Sequence, residues 1–377
     1  MQISAHFDSG NIEVHDVSNP QHPLLKIRKD LNSHHFQWFH FKAEALTPGQ
    51  RYDFSLINAG DAAYNWAWDG YNAVASYDHK TWFRVPSTYA NGTLSFGLEV
   101  EQAQIWFAYF EPYSRERHDW LIDQALFKAD AELVACGKSI EGRDIQLLRI
   151  SRNPHATRKV WIIAQQHPGE HMAEWFMEGL IERLKLRDDA EINTLLSQAD
   201  LYLVPNANPD GAYRGHLRTN AAGKDLNRAW QSANATETPE VFFIQQQMRH
   251  FGVDLFLDIH GDEEIPHVFT AACEGNPGYT PRIAALENRF RQRLVTMGAE
   301  FQTQFGYPLS APGSANMTLA CNAVGEEFDC LSFTIEMPFK DHDDTPNSQT
   351  GWDGKRSKQL AKDVLSVTAA MVGELRA

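Results

Sequence analysis

The sequence predicts an α/β protein in two parts, a small antiparallel β-sandwich followed by a mixed, largely parallel sheet flanked by helices. Three observations carry that expectation. Up to about residue 113 the chain runs in short stretches that alternate apolar with polar residues. Beyond that point, apolar runs of strand length alternate with segments of helical period. Four of those apolar runs end in a residue able to do chemistry.

In the first part QISAHFD, NIEVHDV, LLKIR, HHFQWFHFKA and RYDFSLIN read as strands, separated by clusters of Gly, Pro, Asn and Asp. Five of the ten tryptophans, Trp38, Trp66, Trp68, Trp82 and Trp106, lie here and supply bulk for a sandwich core. For Trp66 and Trp68 a binding platform is the alternative to core packing, and packing is the expectation. After Glu111-Pro112-Tyr113 the pattern changes, which divides the chain into an N-terminal domain, 1–113, and a larger second domain, 114–377. There IQLLRIS, KVWIIAQ, LYLVP, DLFLDIH and LSFTIEM have strand length. From Pro281 onward, Ile283, Leu286, Phe290, Leu294 and Met297 share one face of a helix; Leu360, Val364, Val367, Met371 and Leu375 share another. Strands alternating with helices imply a sheet covered on both faces.

A chain of 377 residues with formal net charge -15 repels nucleic acid and anionic membrane, so neither is expected as a partner. No run approaches the roughly 18 apolar residues of a membrane span. The first residues, MQISAHFDSGNIEVHD, have neither the basic nor the apolar region of a signal peptide. Cys136, Cys273, Cys321 and Cys330 form no CxxC pair and no disulfide framework, which suits reduced thiols in the cytoplasm.

Ligands of open α/β sheets bind at the carboxyl ends of strands. Here KVWIIAQQ runs into His167, LYLVP into Asn206, DLFLDI into His260 and LSFTI into Glu336. His167 and Glu170 lie in HPGE, and His260 lies in DIHGD. Two imidazoles and a carboxylate leave a fourth position open on zinc, the ligand count of a catalytic site, so one Zn2+ per chain is expected. An HxxE pair alone arises often by chance; its place at a strand end, with His260 at another, argues for a role. His167-Pro168-Gly169-Glu170-His171 also fits HxxEH, an inverted-zincin endopeptidase pattern with His167 and His171 as ligands. That pattern needs both histidines within one helix, and Pro168-Gly169 after a strand disfavours it. His171 is then expected at the surface or behind the ligands.

Together these residues resemble the metallocarboxypeptidase family, the carboxypeptidase A-like zinc peptidases. HPGE, NPDG at Asn208 to Gly211, GKDLNR at Gly223 to Arg228 and the β-rich first part ending in PYS look like the cytosolic carboxypeptidase subfamily. The resemblance implies a carboxypeptidase-like, phosphorylase/hydrolase-like fold. It also implies hydrolysis of C-terminal residues from peptides or proteins by zinc-activated water. In that scheme Glu336 is the general base, Arg228 with Asn227 binds the terminal carboxylate, and Arg218 polarises the scissile carbonyl. Guanidinium suits both tasks as a planar, permanently charged donor.

The family's tyrosine, expected some twenty residues before Glu336, has no counterpart between Pro308 and Ile335, and Tyr307 is the nearest. The glutamate-removing members carry a basic residue shortly before the base. Here GEEFDCLSFTIE has Glu326, Glu327 and Asp329 instead, so C-terminal glutamate specificity rests on kinship. A zinc amidohydrolase acting on N-acyl amino acids and a non-catalytic peptide-binding module are the other classes considered.

Overall fold

The computed structural model describes residues 1–298 and 300–376. Its first ten strands are β1 (Gln2–Ser4), β2 (Glu13–Asp16), β3 (Leu24–Lys26), β4 (His40–Glu44), β5 (Arg51–Leu56), β6 (Ala73–Ser76), β7 (Phe83–Val85), β8 (Ser87–Ala90), β9 (Thr93–Glu99) and β10 (Gln104–Ala108). They form two five-stranded sheets, β1-β4-β10-β6-β7 and β2-β3-β5-β9-β8. Alternation puts Phe41, Phe54, Phe96 and Phe107 between the sheets, with ring centroids 4.7–6.1 Å apart. The sheets are antiparallel except for β3 and β5, which pair in parallel.

Two expectations fail here. HHFQWFHFKA is a strand only from His40; residues 34–39 run irregularly because their groups bond elsewhere. Trp38 donates its indole N–H to the Ser9 carbonyl (2.8 Å), and Gln37 ties to Tyr64. Trp66 is 56% exposed and outside the core, its indole donating to Glu264 at 2.8 Å, whereas Trp38 and Trp68 are buried.

Beyond them lie α1 (Arg115–Lys128), β11 (Ala131–Lys138), β12 (Asp144–Ile150), β13 (Arg158–Ala164), α2 (Met172–Leu184), α3 (Ala190–Gln198), β14 (Ala199–Val204), α4 (Pro209–Arg214) and α5 (Pro239–Phe251). Then come β15 (Leu255–Asp262), β16 (Phe269–Ala271), α6 (Pro281–Met297), α7 (Ala320–Phe328), β17 (Leu331–Pro338) and α8 (Gly354–Met371). The seven strands are ordered β11-β12-β14-β13-β15-β17-β16. The four central strands β14, β13, β15 and β17 are parallel, and the pairings outside them are antiparallel.

Period two sorts the core of this sheet. Val160, Ile162 and Ala164 join the large cluster with α2, α3, α6 and α8, while Trp161 and Ile163 join a second cluster with α5 and α7. Burial on both faces explains why these strands read as continuous apolar runs. In α6, Ile283, Leu286, Phe290 and Leu294 are buried, but Met297, at the last turn, is 45% exposed because the helix ends before its face is covered. The predicted apolar stripe of α8 is buried throughout, including Leu375 beyond it. Helices α2 and α8 cross closely at Gly179, where a Cβ would stand 2.3 Å from the Lys358 carbonyl oxygen.

The sandwich docks on the segment that follows β17 through specific contacts. Arg84 of β7 donates to the carbonyls of Phe339 (2.8 Å), Thr350 (3.0 Å) and Trp352 (3.0 Å). Tyr109 stacks on Phe339 with centroids 4.6 Å apart. No helix among the described residues is long and apolar enough to cross a membrane.

Candidate metal centre and active site

The chain leaves β13 through Gln165, a non-glycine residue at φ +56°. Such a left-handed residue costs about 1 kcal/mol or more and persists where its surroundings fix it. Here they do: Gln165 donates to the Pro168 carbonyl (2.9 Å), and its side-chain oxygen accepts from Asn206 (2.8 Å), which also donates to Glu174 (2.9 Å). Asn206, the strand-end residue after β14, therefore holds the HPGE turn and stands outside the metal-binding group. The NPDG motif does similar work. Asn208 caps α4 by accepting the Gly211 N–H (3.1 Å) and donates to the Gln166 carbonyl (2.9 Å). Position 211 must be glycine because a Cβ would lie 2.6 Å from Pro168 Cγ.

That turn delivers His167 and Glu170 to His260 of β15. His167 Nδ1 is 2.6 Å from Glu170 Oε1, and His260 Nδ1 is 2.8 Å from Glu170 Oε2 and 3.2 Å from His167 Nδ1. All three residues are buried. The opposite ring nitrogens are held by carboxylates: His167 Nε2 is 3.0 Å from Asp225 Oδ1, and His260 Nε2 is 2.8 Å from Asp258 Oδ2. This is the arrangement that fixes the ring proton on Nε2 and turns the Nδ1 lone pair toward a cation. The donor set fits zinc: two imidazole nitrogens and a carboxylate converge on one point, compatible with bonds of about 2.0–2.2 Å. Burial opposes ionisation of Glu170, yet the charges of His167 and His260 outweigh it and hold its carboxyl at about 2. Burial also disfavours charge on His260, but Asp258 and Glu170 outweigh it and raise that group.

His171 does not join the group. Its Nδ1 accepts the Tyr113 N–H at 2.9 Å and its ring stacks on Trp38 at 4.1 Å. It is the N-cap of α2, one residue before the helix, with His167 well outside it. Instead of lying at the surface, it is buried in the contact between the two sheets' domains, where burial pushes it down to about 3 and keeps it neutral.

Glu336 of β17 is paired in register with His260. Its Oε1 lies 3.1 Å from the Tyr307 hydroxyl, whose single proton is shared between it and the closer Asp262 Oδ2 (2.7 Å); its buried Oε2 has no partner among the described residues. Burial pushes Glu336 up to about 8 against the pull of His260, with Glu170 and Asp262 adding to the rise. A cation in the neighbouring group would favour the ionised form. Tyr307 thus reaches the site from the loop after α6, at a different spacing from the family's tyrosine.

Arg218 meets the same network. Its Nε donates to Asp225 Oδ2 (2.7 Å), the carboxylate whose other oxygen holds His167. Asn227, two residues on, accepts the Ala320 N–H at the start of α7 (2.8 Å), and its amide nitrogen lies 3.5 Å from His260 Nε2. Arg228 is exposed on the same short turn, its Nη1 donating to the Asn227 carbonyl (2.8 Å). Glu326, Glu327 and Asp329 are engaged at the far end of α7. Glu326 accepts from the Gly278 N–H (3.0 Å), while Glu327 pairs with Arg249 (2.6 Å) and Asp329 with Arg282 (2.8 Å).

Asp225, Asp258, Asp262 and Tyr64 were not singled out for roles from sequence. Asp258 had a signal, since a residue two before His260 on a strand shares its face. Tyr64, whose hydroxyl accepts from Arg218 Nη1, had none, because it comes from the sandwich.

Comparisons with known proteins bear on this site. The zinc carboxypeptidase family matches residues 119–343, and the cytosolic carboxypeptidase N-terminal domain matches residues 3–110. A metallo-carboxypeptidase from Pseudomonas aeruginosa, solved in complex with (2-guanidinoethylmercapto)succinic acid, is 63% identical over the whole of both chains with a TM-score of 0.98. A metallo-carboxypeptidase from Burkholderia cenocepacia is 39% identical over 99% of each chain, with a TM-score of 0.95. Cytosolic carboxypeptidase 6 of Caenorhabditis elegans is 25% identical, the match covering 93% of this chain and 81% of that protein. The chain belongs to the zinc carboxypeptidase family, as a metallocarboxypeptidase with the N-terminal domain of the cytosolic carboxypeptidases.

Proposed function

We propose that the protein removes single C-terminal residues from peptides or proteins, with His167, Glu170 and His260 as zinc ligands and Glu336 as general base. The observation that carries this reading is the pairing of His260 with Glu336, which sets a buried, half-unpartnered carboxyl beside three convergent metal donors. Zinc held there supplies Lewis acidity, polarising a carbonyl and making water a nucleophile at neutral pH. Glu336, as carboxylate, takes a proton from the attacking water and gives it to the leaving amine. Arg218 donates hydrogen bonds to the scissile carbonyl as negative charge builds on its oxygen. Arg228, assisted by Asn227, binds the terminal carboxylate, and its forked donors fix the distance from chain end to scissile bond. In this reading residues 1–113 are an N-terminal domain and residues 114–377 the catalytic one.

For the side chain removed, kinship with cytosolic carboxypeptidases suggests glutamate, while two observations favour a basic residue. Asp262 and the buried Glu263 lie two and three residues after His260, and Glu263 is within electrostatic reach of Glu170 and Arg218. The Pseudomonas aeruginosa relative binds a compound carrying a guanidinium group together with carboxylates. A cytoplasmic setting belongs to the same reading and is supported by Cys273 and Cys321, whose thiols lie 3.8 Å apart unbridged.

The test is a panel of peptides differing only in the last residue, given to zinc-quantified protein beside their C-terminal amides and N-acyl amino acids. Release of one free amino acid from the acids but not from the amides supports the proposal. Cleavage confined to N-acyl amino acids would replace it with an amidohydrolase, and internal cleavage with an endopeptidase.

A further inference from the structure

Arg218 is gripped from outside the catalytic sheet. Its backbone N–H and those of Leu217 and Thr219 all donate to the buried carboxylate of Asp30, at 2.9, 2.7 and 2.9 Å. Asp30 comes from the sandwich, between β3 and β4. At its other end the guanidinium donates from Nη1 to the hydroxyl of Tyr64, between β5 and β6. Tyr64 is itself fixed at both backbone groups by one side chain: its N–H donates to Gln37 Oε1 (2.8 Å), and its carbonyl accepts from Gln37 Nε2 (3.2 Å). Its ring meets Trp66 edge-on at 5.8 Å, and Trp66 bonds to Glu264 in the loop after β15. The guanidinium therefore has Nε on Asp225 and Nη1 on Tyr64, while Nη2 makes no hydrogen bond among the described residues.

We propose that Tyr64 is a positioning residue for the reaction, aligning Arg218 so that Nη2 is left as the donor for substrate. The N-terminal domain is then part of the catalytic apparatus and not only a brace. The inference rests on the role given to Arg218 above.

One hydrogen bond leaves a planar guanidinium free to turn about its side chain; two bonds from opposite edges fix its plane. Asp225 cannot follow a turning arginine, because its other oxygen is held by His167. Tyr64 is suited to the second anchor because burial, with the nearby Glu263, keeps its hydroxyl protonated. A neutral phenol accepts from arginine without cancelling the charge that the carbonyl oxygen must feel. Without the hydroxyl, Nη1 is left unpaired at a largely buried site and the group is free to turn, so Nη2 is no longer aimed.

The experiment uses full-length, zinc-loaded protein as wild type, Tyr64→Phe, Arg218→Lys and the double variant. Peptide hydrolysis, zinc content and melting temperature are measured on each. Tyr64→Phe is expected to lower kcat about tenfold or more, the scale of a small misplacement of a positioned group, with KM changed by less than about twofold. Zinc content is expected to stay at the wild-type value. In the Arg218→Lys background the same Tyr64→Phe change is expected to cost nothing further. Full kcat in Tyr64→Phe, or an undiminished loss in the Arg218→Lys background, overturns the proposal while leaving the role of Arg218 intact. Full kcat in Arg218→Lys overturns that role and the proposal with it. A drop in zinc content in Tyr64→Phe also overturns it, since the residue would then act on the metal group.

Discussion

His260 and Glu336 face each other in register on the adjacent parallel strands β15 and β17. Neighbouring strands lie about 4.8 Å apart, and residues paired across them put their side chains on the same face. The proposed third metal ligand and the proposed base are thus coupled by backbone hydrogen bonding, independent of any loop. Because Glu336 stands outside the converging group of His167, Glu170 and His260, the proposed role predicts that its charge can be removed without dismantling that group.

Glu336→Gln is therefore expected to keep wild-type zinc content and lose about 10²–10⁴ in kcat, the range of general acid–base catalysis. Metal analysis together with peptide turnover checks it. A variant that loses its zinc would make Glu336 part of the metal group, and one that keeps its turnover would exclude it as base.

The ligands and their carboxylate partners are expected to separate by degree. His260→Ala removes a donor and is expected to abolish stoichiometric zinc binding. Asp258→Asn keeps His260 but weakens the 2.8 Å contact to its Nε2, so zinc affinity is expected to fall about 10–100-fold. Competition with a chelator at pH 7 reads both values. Equal affinity in Asp258→Asn and wild type would sink the claim that this contact orients the ring.

Arg228 is expected to act on binding more than on chemistry. A hydrogen bond to a charged group contributes about 1.5–3 kcal/mol. Arg228→Ala is accordingly expected to raise KM for peptide acids about 10–100-fold with a smaller change in kcat. Its residual discrimination between peptide acids and amides is the decisive measurement. Undiminished preference for the acid would place the carboxylate clamp elsewhere, with Arg218 the nearest alternative.

The convergence of His167, Glu170 and His260 was legible because it is built near the carboxyl ends of β13 and β15. An apolar run that meets histidine or glutamate near its carboxyl end states what the strand presents there, although β15 and β17 run two residues beyond His260 and Glu336. The supports behind the ligands were less legible. Asp258 could be found from its spacing to His260, whereas Asp225 becomes a partner of His167 only once the turn at Leu226–Arg228 is folded. Tyr64 and Asp30 reach Arg218 across more than 150 residues of chain, and no local pattern encodes that docking. Trp66 misled for a physical reason. Tryptophan is usually buried, but its indole N–H can hold it at a surface when a carboxylate such as Glu264 is present.

A buried carboxyl away from the site gives the protein a pH dependence whose sign is fixed. Glu240, near the start of α5, is fully buried; Oε2 accepts from Asn220 (3.1 Å) and Oε1 has no partner among the described residues. Burial, with the charge of Asp210, pushes its carboxyl from 4.5 up to about 7, the bond from Asn220 opposing. Between those values the folded protein holds a proton that the unfolded chain releases. The contribution of Glu240 to stability is therefore complete below about pH 4.5 and is lost as pH rises through about 7. Glu240→Gln cannot ionise and keeps an acceptor for Asn220. It is expected to be more stable than wild type at pH 8, by on the order of 2–3 kcal/mol, and to lose that advantage near pH 4.5. Melting curves of the two proteins across this range test it. Parallel curves with a constant offset would mean that Glu240 does not titrate on folding, and a variant less stable at pH 8 would mean that the charged form is the one the fold accommodates.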